Sequence, residues 1–313
     1  MPETGTPGAA ASSTVVVVTW RGAAHITACL DAVAAQLRAH RLLVVDNASD
    51  DGTAELLAAH PARPEVLRLD RNSGYAGALA AALPRVRTRY VGWLNDDAAP
   101  EPEWLALLED ALDADDGAGA ASPRLLGPAG ATQSVGVAIT PIGYGADVTT
   151  AGPQEVFGFC GGAALVRAAS LRALGGVPAE FFCYYEDTDT SWRLRLAGLH
   201  VLSVPKARVA HAHGASTGIG SMDFHRWNER NRLLMLLRCA PAAVAAREVL
   251  RFAVITALLP VRRAPDAPNF RMTLRLRVLA EVLRGTPPAL RARRATGATA
   301  ATRRTVWQTW AGR

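Results

Sequence analysis

After a run of small residues the chain reads STVVVVTW (13–20), a β-branched apolar stretch without polar alternation, the pattern of a strand buried on both faces. ITACLDAVAAQL follows at helical spacing. The arrangement recurs in RLLVVDNASDDGTAELLAAH (41–60), VLRLDRNSGYAGALAAAL (66–83) and YVGWLNDDAAPEPEWLALLEDAL (90–112), each a buried run, a polar turn and a helical period. Such alternation predicts an α/β fold: a doubly wound, mostly parallel, Rossmann-like sheet. From residue 118 shorter glycine-rich pieces read as hairpins and loops over the sheet edge. EVFGFCGGAALVRAASLRALGG (155–176) predicts a strand, a close Gly161–Gly162 approach and a helix closed by Gly175–Gly176. Residues 181–217 predict an aromatic lead-in, an acidic knot, an amphipathic helix and two short strands. Helices are predicted over 222–239 and 242–259, and the last thirty or so residues, with Pro287 and Pro288, read as partly loose. No internal repeat is visible.

In open α/β sheets ligands bind beyond the carboxyl ends of the strands. Thr19, Asp46 and the Asn95-Asp96-Asp97 cluster all fall there. Adjacent ionised carboxylates at the end of a buried strand must be solvated, paired or metal-bound. A surface turn punctuated by Pro100 and Pro102 meets the first condition, and a divalent cation the last. Neither G-x-G-x-x-G nor G-x-x-x-x-G-K-[ST] follows the first strand, which argues against nicotinamide-binding and P-loop enzymes. A second knot, Glu186, Asp187 and Asp189, opens a predicted helix. The helix dipole accounts for one or two acids there; three beside a run of aromatics also suit a general base. Together the two knots fit transfer from a diphosphate-activated donor. Mg2+ or Mn2+ at the first would offset charge on the leaving group, a carboxylate at the second would take the proton from the attacking hydroxyl, and one displacement would invert the sugar carbon.

With 313 residues, half of them hydrophobic, the chain can bury a large core as one domain, alone or with a smaller appendage. The four cysteines, Cys29, Cys160, Cys183 and Cys239, lack metal-site spacing and are too few for a disulfide scaffold, which fits a reducing compartment. Residues 1–13 lack the basic-then-apolar layout of a secretory signal and read as a flexible leader. The apolar stretch FAVITALLPV (252–261) falls short of the ~18 residues of a spanning helix. The net charge is +6, and past residue 240 the only acids are Glu248, Asp266 and Glu281 among many arginines. A tail of that kind suits anionic lipid, nucleic acid or an acidic partner. No basic motif interleaved with aromatics supports nucleic acid.

In order along the chain, VVTW, VVDNASDDGT, RNSGYAGA, LNDDA, GFCGGA, YYEDTDTSWRLRLAG and VAHAHGAST resemble the family 2 glycosyltransferases of GT-A fold, and within them the bacterial rhamnosyltransferase-type enzymes of cell-wall and surface polysaccharide. The likeness spans 14–237. It implies a nucleotide-binding half (about 14–118), an acceptor half (about 119–237) and a basic helical C-terminal extension (238–313). It further implies that Thr19 and Asp46 hold the nucleotide base, that Asn72 and Gly74 shape the wall beside it, and that Trp20 and Arg21 border the pocket. Asn95, Asp96 and Asp97 match the D-x-D element, Asn95 and Asp96 toward the nucleotide and Asp97 as metal ligand. Glu186 and Asp187 match the catalytic acid pair, with Asp187 the general base. His211 matches the histidine that follows the last core strand and approaches the metal or diphosphate, with His213 as its alternative.

The chain departs from this pattern at Asn95, neutral where the first acid of D-x-D stands, which makes metal dependence less strict. Toward the acceptor, Gly161 and Gly162 allow close backbone approach, Cys160, Phe181, Phe182, Tyr184 and Tyr185 are candidates to line a sugar, and Arg230 and Asn231 lie near the site as in relatives. Trp192 and Arg193 are expected to pack and pair on their helix. The implied reaction is an inverting transfer from a dTDP- or UDP-linked sugar, rhamnose included, to a glycan or polyprenyl-diphosphate-linked acceptor. The protein would then be cytoplasmic, with the extension on the inner face of the membrane. The alternative is a non-catalytic sugar-nucleotide or glycan-binding module of the same fold.

Overall fold

The structure, a computed structural model, describes residues 11–150, 154–212, 220–261 and 265–312. The first part runs β1 (Ser13–Thr19), α1 (Ile26–Ala34), β2 (His40–Asp46), α2 (Thr53–Ala59), β3 (Glu65–Arg68), α3 (Gly74–Ala82) and β4 (Tyr90–Asn95). These strands are parallel, with β1 between β2 and β4 and β3 outside β2. Alternation along β1 sends Val15 and Val17 into the layer holding Ile26, Leu30 and Val33 of α1, and Val16 and Val18 into the layer holding Ala76 and Leu79 of α3. Burial on both faces is why these strands read as unbroken apolar runs. Of the expected leader, only residues 11–13 are described, and Ser13 already belongs to β1.

The chain continues through β5 (Ala98–Pro100), α4 (Trp104–Asp113), β6 (Ala118–Leu126), β7 (Thr132–Ser134), β8 (Val137–Ile139), β9 (Gly145–Asp147), β10 (Glu155–Val156), β11 (Ala163–Arg167), α5 (Ala168–Ala173), α6 (Glu186–Leu196) and β12 (His200–His211). The ten-stranded sheet has the order β10-β12-β6-β11-β4-β1-β2-β3, with β5 on β12 and β7 on β6, while β8 and β9 form a separate hairpin. β11 is antiparallel to both β4 and β6, so the direction of the sheet reverses there.

The stretch from 118, expected as hairpins and loops, contains β6, a nine-residue strand in the middle of the sheet. Its small residues hide it from apolar counting because a neighbour fills the space: a Cβ on Gly119 would lie 2.7 Å from Leu194 Cδ2 of α6. The two short strands expected after the acidic knot are one, β12, irregular between Val204 and Arg208, where Pro205 cannot donate to a ladder.

α7 (Met222–Cys239) and α8 (Ala242–Leu258) match the expected helices. The C-terminal extension is helical, as expected, and its last thirty or so residues, expected to be partly loose, instead continue α9 (Met272–Ala295) through Pro287 and Pro288 and form α10 (Ala300–Trp310). Its arginines close helix ends: Arg303 Nη1 donates to the carbonyls of Arg238 and Cys239 at 2.9 Å each, where α7 runs out of internal partners. Trp307 of α10 stacks on Trp192 at 5.8 Å, and Trp310 meets Phe157 at 6.2 Å. Among the described residues no helix is long and apolar enough to cross a membrane.

Candidate active site

Just past β4, β5 pairs with β12 and sets His211 opposite Ala98, beside Asp97. A cavity of about 580 Å3 opens there, lined by Asn95, Asp96, Asp97 and His211 on one side and Glu186, Asp187 and Tyr185 on another. Gly161 and Gly162 join the two sides. Gly162 O accepts from Asn95 N–H at 3.0 Å, and Gly161 N–H donates to Asp187 Oδ2 at 2.8 Å. Added side chains would be tight: a Cβ on Gly162 would lie 3.1 Å from His211 Cε1, and one on Gly161 3.2 Å from Asp187 Oδ2.

In the strand-end cluster, Asp96 Oδ2 accepts from Thr19 Oγ1 at 2.6 Å. Burial nonetheless pushes the Asp96 carboxyl up to about 6. Gly22 makes this contact possible, since a Cβ there would lie 2.2 Å from Thr19 Oγ1 and 2.3 Å from Asp96 Oδ2. Burial also works to raise Asp97, but the His211 imidazole outweighs it and holds that carboxyl below the ordinary range. His211 Nε2 lies 3.2 Å from Asp97 Oδ1 and 3.2 Å from Asn95 Nδ2. Its Nδ1 faces Gln133 Oε1 at 3.0 Å. A proton on Nδ1 faces Gln133 and lets Nε2 accept from Asn95, whereas a proton on Nε2 faces Asp97 and accounts for its lowered carboxyl.

A divalent cation fits this corner. Among the described residues Asp97 Oδ1 is a buried carboxylate oxygen without a hydrogen-bond donor, and it lies 3.2 Å from an imidazole nitrogen, oxygen and nitrogen groups of the kinds that divalent cations take. No cluster of three or more His, Cys, Asp or Glu capable of holding a metal occurs among the described residues.

The second knot divides. Asp187 accepts from Gly161 N–H, Thr188 N–H and Thr188 Oγ1 at 2.8, 2.5 and 2.9 Å, and burial still raises its carboxyl. Glu186 Oε2 is buried without a partner, and burial, then the Asp187 charge, push Glu186 well above the usual range. Asp189 turns away into the core, with Oδ2 2.6 Å from Arg193 Nε and Oδ1 2.7 Å from Arg238 Nε. Those guanidiniums overcome the desolvation and lower its carboxyl. As expected, Trp192 packs in the core and Arg193 pairs on its own helix.

Above the acids, Phe182, Tyr184 and Tyr185 have φ of 66°, 70° and 71°, the left-handed region that non-glycine residues seldom occupy. Asn231, fully buried, holds this loop by donating from Nδ2 to the carbonyls of Phe181, Cys183 and Tyr184 at 2.9, 2.8 and 2.8 Å. Arg230 Nη2 donates to Phe181 O at 2.6 Å. Asn231 and Arg230, expected at the acceptor, therefore sit behind the aromatic loop; on α7 it is the preceding turn, with Asp223, Phe224, Trp227 and Asn228, that lines the cavity. Helical periodicity alone could not have fixed which turn faces inward.

Of the residues expected at the nucleotide, Trp20, Asn72 and Gly74 line the cavity, whereas Thr19 and Asp46 are buried behind it. Asp46 accepts from Ser49 N–H at 2.9 Å and Arg68 Nη1 at 2.6 Å. Its neighbour Asn47, unremarked in the sequence, lines the cavity and accepts from Ser73 N–H at 2.8 Å. Gly74 has φ +74°, and a Cβ there would lie 2.1 Å from Phe182 O, so glycine lets the aromatic loop close over α3. Arg21 pairs with Asp50 at 2.6 Å in solvent. Asp147 of the β8–β9 hairpin also lines the cavity, and sequence gave no signal for it. His213 lies outside the described residues.

The Glycosyl transferase family 2 profile matches residues 14–175, and this chain belongs to that family. It is a glycosyltransferase of GT-A fold. The N-acetylglucosaminyl-diphospho-decaprenol L-rhamnosyltransferase of Mycobacterium tuberculosis (strain ATCC 25618 / H37Rv) is 27% identical over 236 residues, 65% of this chain and 77% of that protein. Among solved structures, GalNAc-T7 with UDP, GalNAc and Mn2+ superposes with a TM-score of 0.63 at 14% identity, covering 86% of this chain and 54% of its own. The mannosyltransferase PcManGT of Pyrobaculum calidifontis, in complex with GDP-Man and Mn2+, gives 0.53 at 22% identity, covering 99% and 83%.

Proposed function

We propose that this protein transfers a sugar from a dTDP- or UDP-linked donor, rhamnose being the favoured sugar, to a hydroxyl of a polyprenyl-diphosphate-linked acceptor in cell-wall polysaccharide synthesis, with inversion at the sugar carbon. One observation carries the reading: Asp97 and Asp187 line the same cavity, tied across it by Gly161 and Gly162. The rhamnosyltransferase relative, with its decaprenol-diphosphate-linked substrate, supports the choice of sugar and acceptor.

Asp97 and His211 would hold Mg2+ or Mn2+, the donor's phosphates supplying further oxygens. Bound there, the cation supplies Lewis-acid neutralisation of the departing diphosphate. Trp20, Asn47 and Asn72 form the wall for the nucleotide. Across the cavity, the coupled acids Glu186 and Asp187 share protons as a pair. Asp187, with three donors on its carboxylate, is the member that stays ionised, and Glu186, with an oxygen lacking any donor, keeps the proton. Asp187 then takes the acceptor hydroxyl's proton as that oxygen attacks the sugar carbon.

A thermal-shift series with UDP, dTDP and GDP, each with and without Mn2+, tests the donor half. The expected result is stabilisation by UDP or dTDP that grows with Mn2+. Stabilisation by none of them would defeat the reading.

A further inference from the structure

The outer face of α9 is unusual for a helix in contact with water alone. Leu276, Leu283 and Leu290 recur every seven residues and stand 54%, 75% and 37% exposed. Each is followed by an exposed arginine, Arg277, Arg284 and Arg291. At that spacing the leucines drift only ~20° per step around the helix, so they form one row with the arginines beside it. Isolated exposed apolar side chains need no explanation, but a row of them flanked by cations does.

The opposite side of α9 is occupied, because Val278 and Val282 lie in the main core and α9 packs along α7. The one acid of the helix, Glu281, faces inward, where it meets Arg226 at 2.9 Å and Arg277 at 3.2 Å. α8 repeats the pattern: Leu250 and Val254 are 64% and 46% exposed near Arg247 and Arg251, and Glu248 is buried.

We propose that this α9 face, continued by α8, docks the protein on an anionic lipid bilayer, leucines in the headgroup boundary and arginines among the lipid phosphates. The charge pattern chooses the occupant. A second copy of the same face would bring arginine rows against arginine rows, with no outward acid on either helix to separate them. An anionic bilayer complements both rows at once. α7 lines the cavity at one turn and is bridged to α9 through Arg226 and Glu281, so docking holds the acceptor side of the cavity to the lipid. The inference builds on the lipid-linked acceptor reading, but its test needs neither donor nor acceptor, so the two can fail separately.

The test is co-sedimentation of the full chain with vesicles of phosphatidylcholine containing phosphatidylglycerol and with pure phosphatidylcholine. Binding is expected only to the anionic vesicles and should weaken as salt shortens the screening length. Arg284→Gln and Arg291→Gln, with Arg294→Gln at the exposed position one turn beyond Arg291, together should weaken it about a hundred-fold, at about five-fold for each arginine. The control K206Q, on β12, should leave it unchanged. Leu276→Ser, Leu283→Ser and Leu290→Ser together should abolish it, with thermal melting of both triple variants unchanged. Equal binding to neutral vesicles, no binding to either, or wild-type binding by the triple variants would overturn the proposal. So would a dimer in light scattering that the leucine variants dissolve, since the face would then join two copies.

Discussion

Two acidic clusters face each other across the cavity, and they handle buried charge in opposite ways. At the end of β4, Asp97 lies against His211 and is held below the ordinary carboxylate range. At the start of α6, desolvation raises Asp187 and Glu186, with no cation among the described residues beside either carboxylate. Asp189, on the same helical turn, shows what a cation would do: paired with Arg193 and Arg238, it is lowered and structural. Acid content alone does not mark a catalyst. What distinguishes Asp187 from Asp189 is which side of α6 its carboxylate faces and what meets it there.

The sharpest way to break this comparison is to neutralise the two in turn. Asp187→Asn should lower transfer by about 10²–10⁴-fold, the usual worth of a general base, with unfolding unchanged. Asp189→Asn should instead cost about 3–5 kcal/mol in denaturant unfolding, because it strands Arg193 and Arg238 in the core. The reverse outcome would exchange their roles.

Asn231→Ala is expected to cost about 1–3 kcal/mol and to raise the acceptor KM more than it lowers kcat, because the strained Phe182–Tyr185 loop loses its shared donor. Equal loss of donor binding would show that the loop serves the nucleotide as well. A smaller effect is expected of Gln133→Ala, which removes the partner of His211 Nδ1 and should weaken Mn2+-supported nucleotide binding by about ten-fold in calorimetry.

Smallest is the pH effect of Glu186. Its carboxyl is raised in the folded state, so the folded protein binds the extra proton between the ordinary glutamate pKa of about 4.3 and the raised value. Its contribution is therefore largest below that window and is lost as pH rises through it. Glu186→Gln should flatten the fall of Tm between pH 5 and 8. A slope unchanged by the substitution would place that proton elsewhere.

The β-α units up to α4 were legible because strands buried on both faces must be apolar throughout, and both acidic clusters stood out beside them. β6 was not legible, since its glycine and alanines make no apolar run, Gly119 being small where Leu194 fills the space. The C-terminal extension was legible as helical but its packing was not, because its arginines read as a basic face for a partner while Arg303 closes the end of α7. In the site, the charged residues singled out from the sequence, Asp97, His211, Glu186 and Asp187, all line one cavity. Asp46, Arg230 and Asn231 carry the right groups for ligand contact, yet each meets protein partners one layer behind the cavity. Linear sequence does not encode that depth.

The central claim is that Asp97 serves the leaving group while Asp187 serves the attacking hydroxyl. Calorimetric titration of D97N and D187N with the preferred nucleoside diphosphate and Mn2+ measures it directly. D97N should lose the Mn2+-dependent part of binding, and D187N should bind within about two-fold of the wild type while failing to transfer, the separation expected when a group acts only in the transition state. Loss of nucleotide binding in D187N, or Mn2+-dependent binding retained by D97N, would contradict the account.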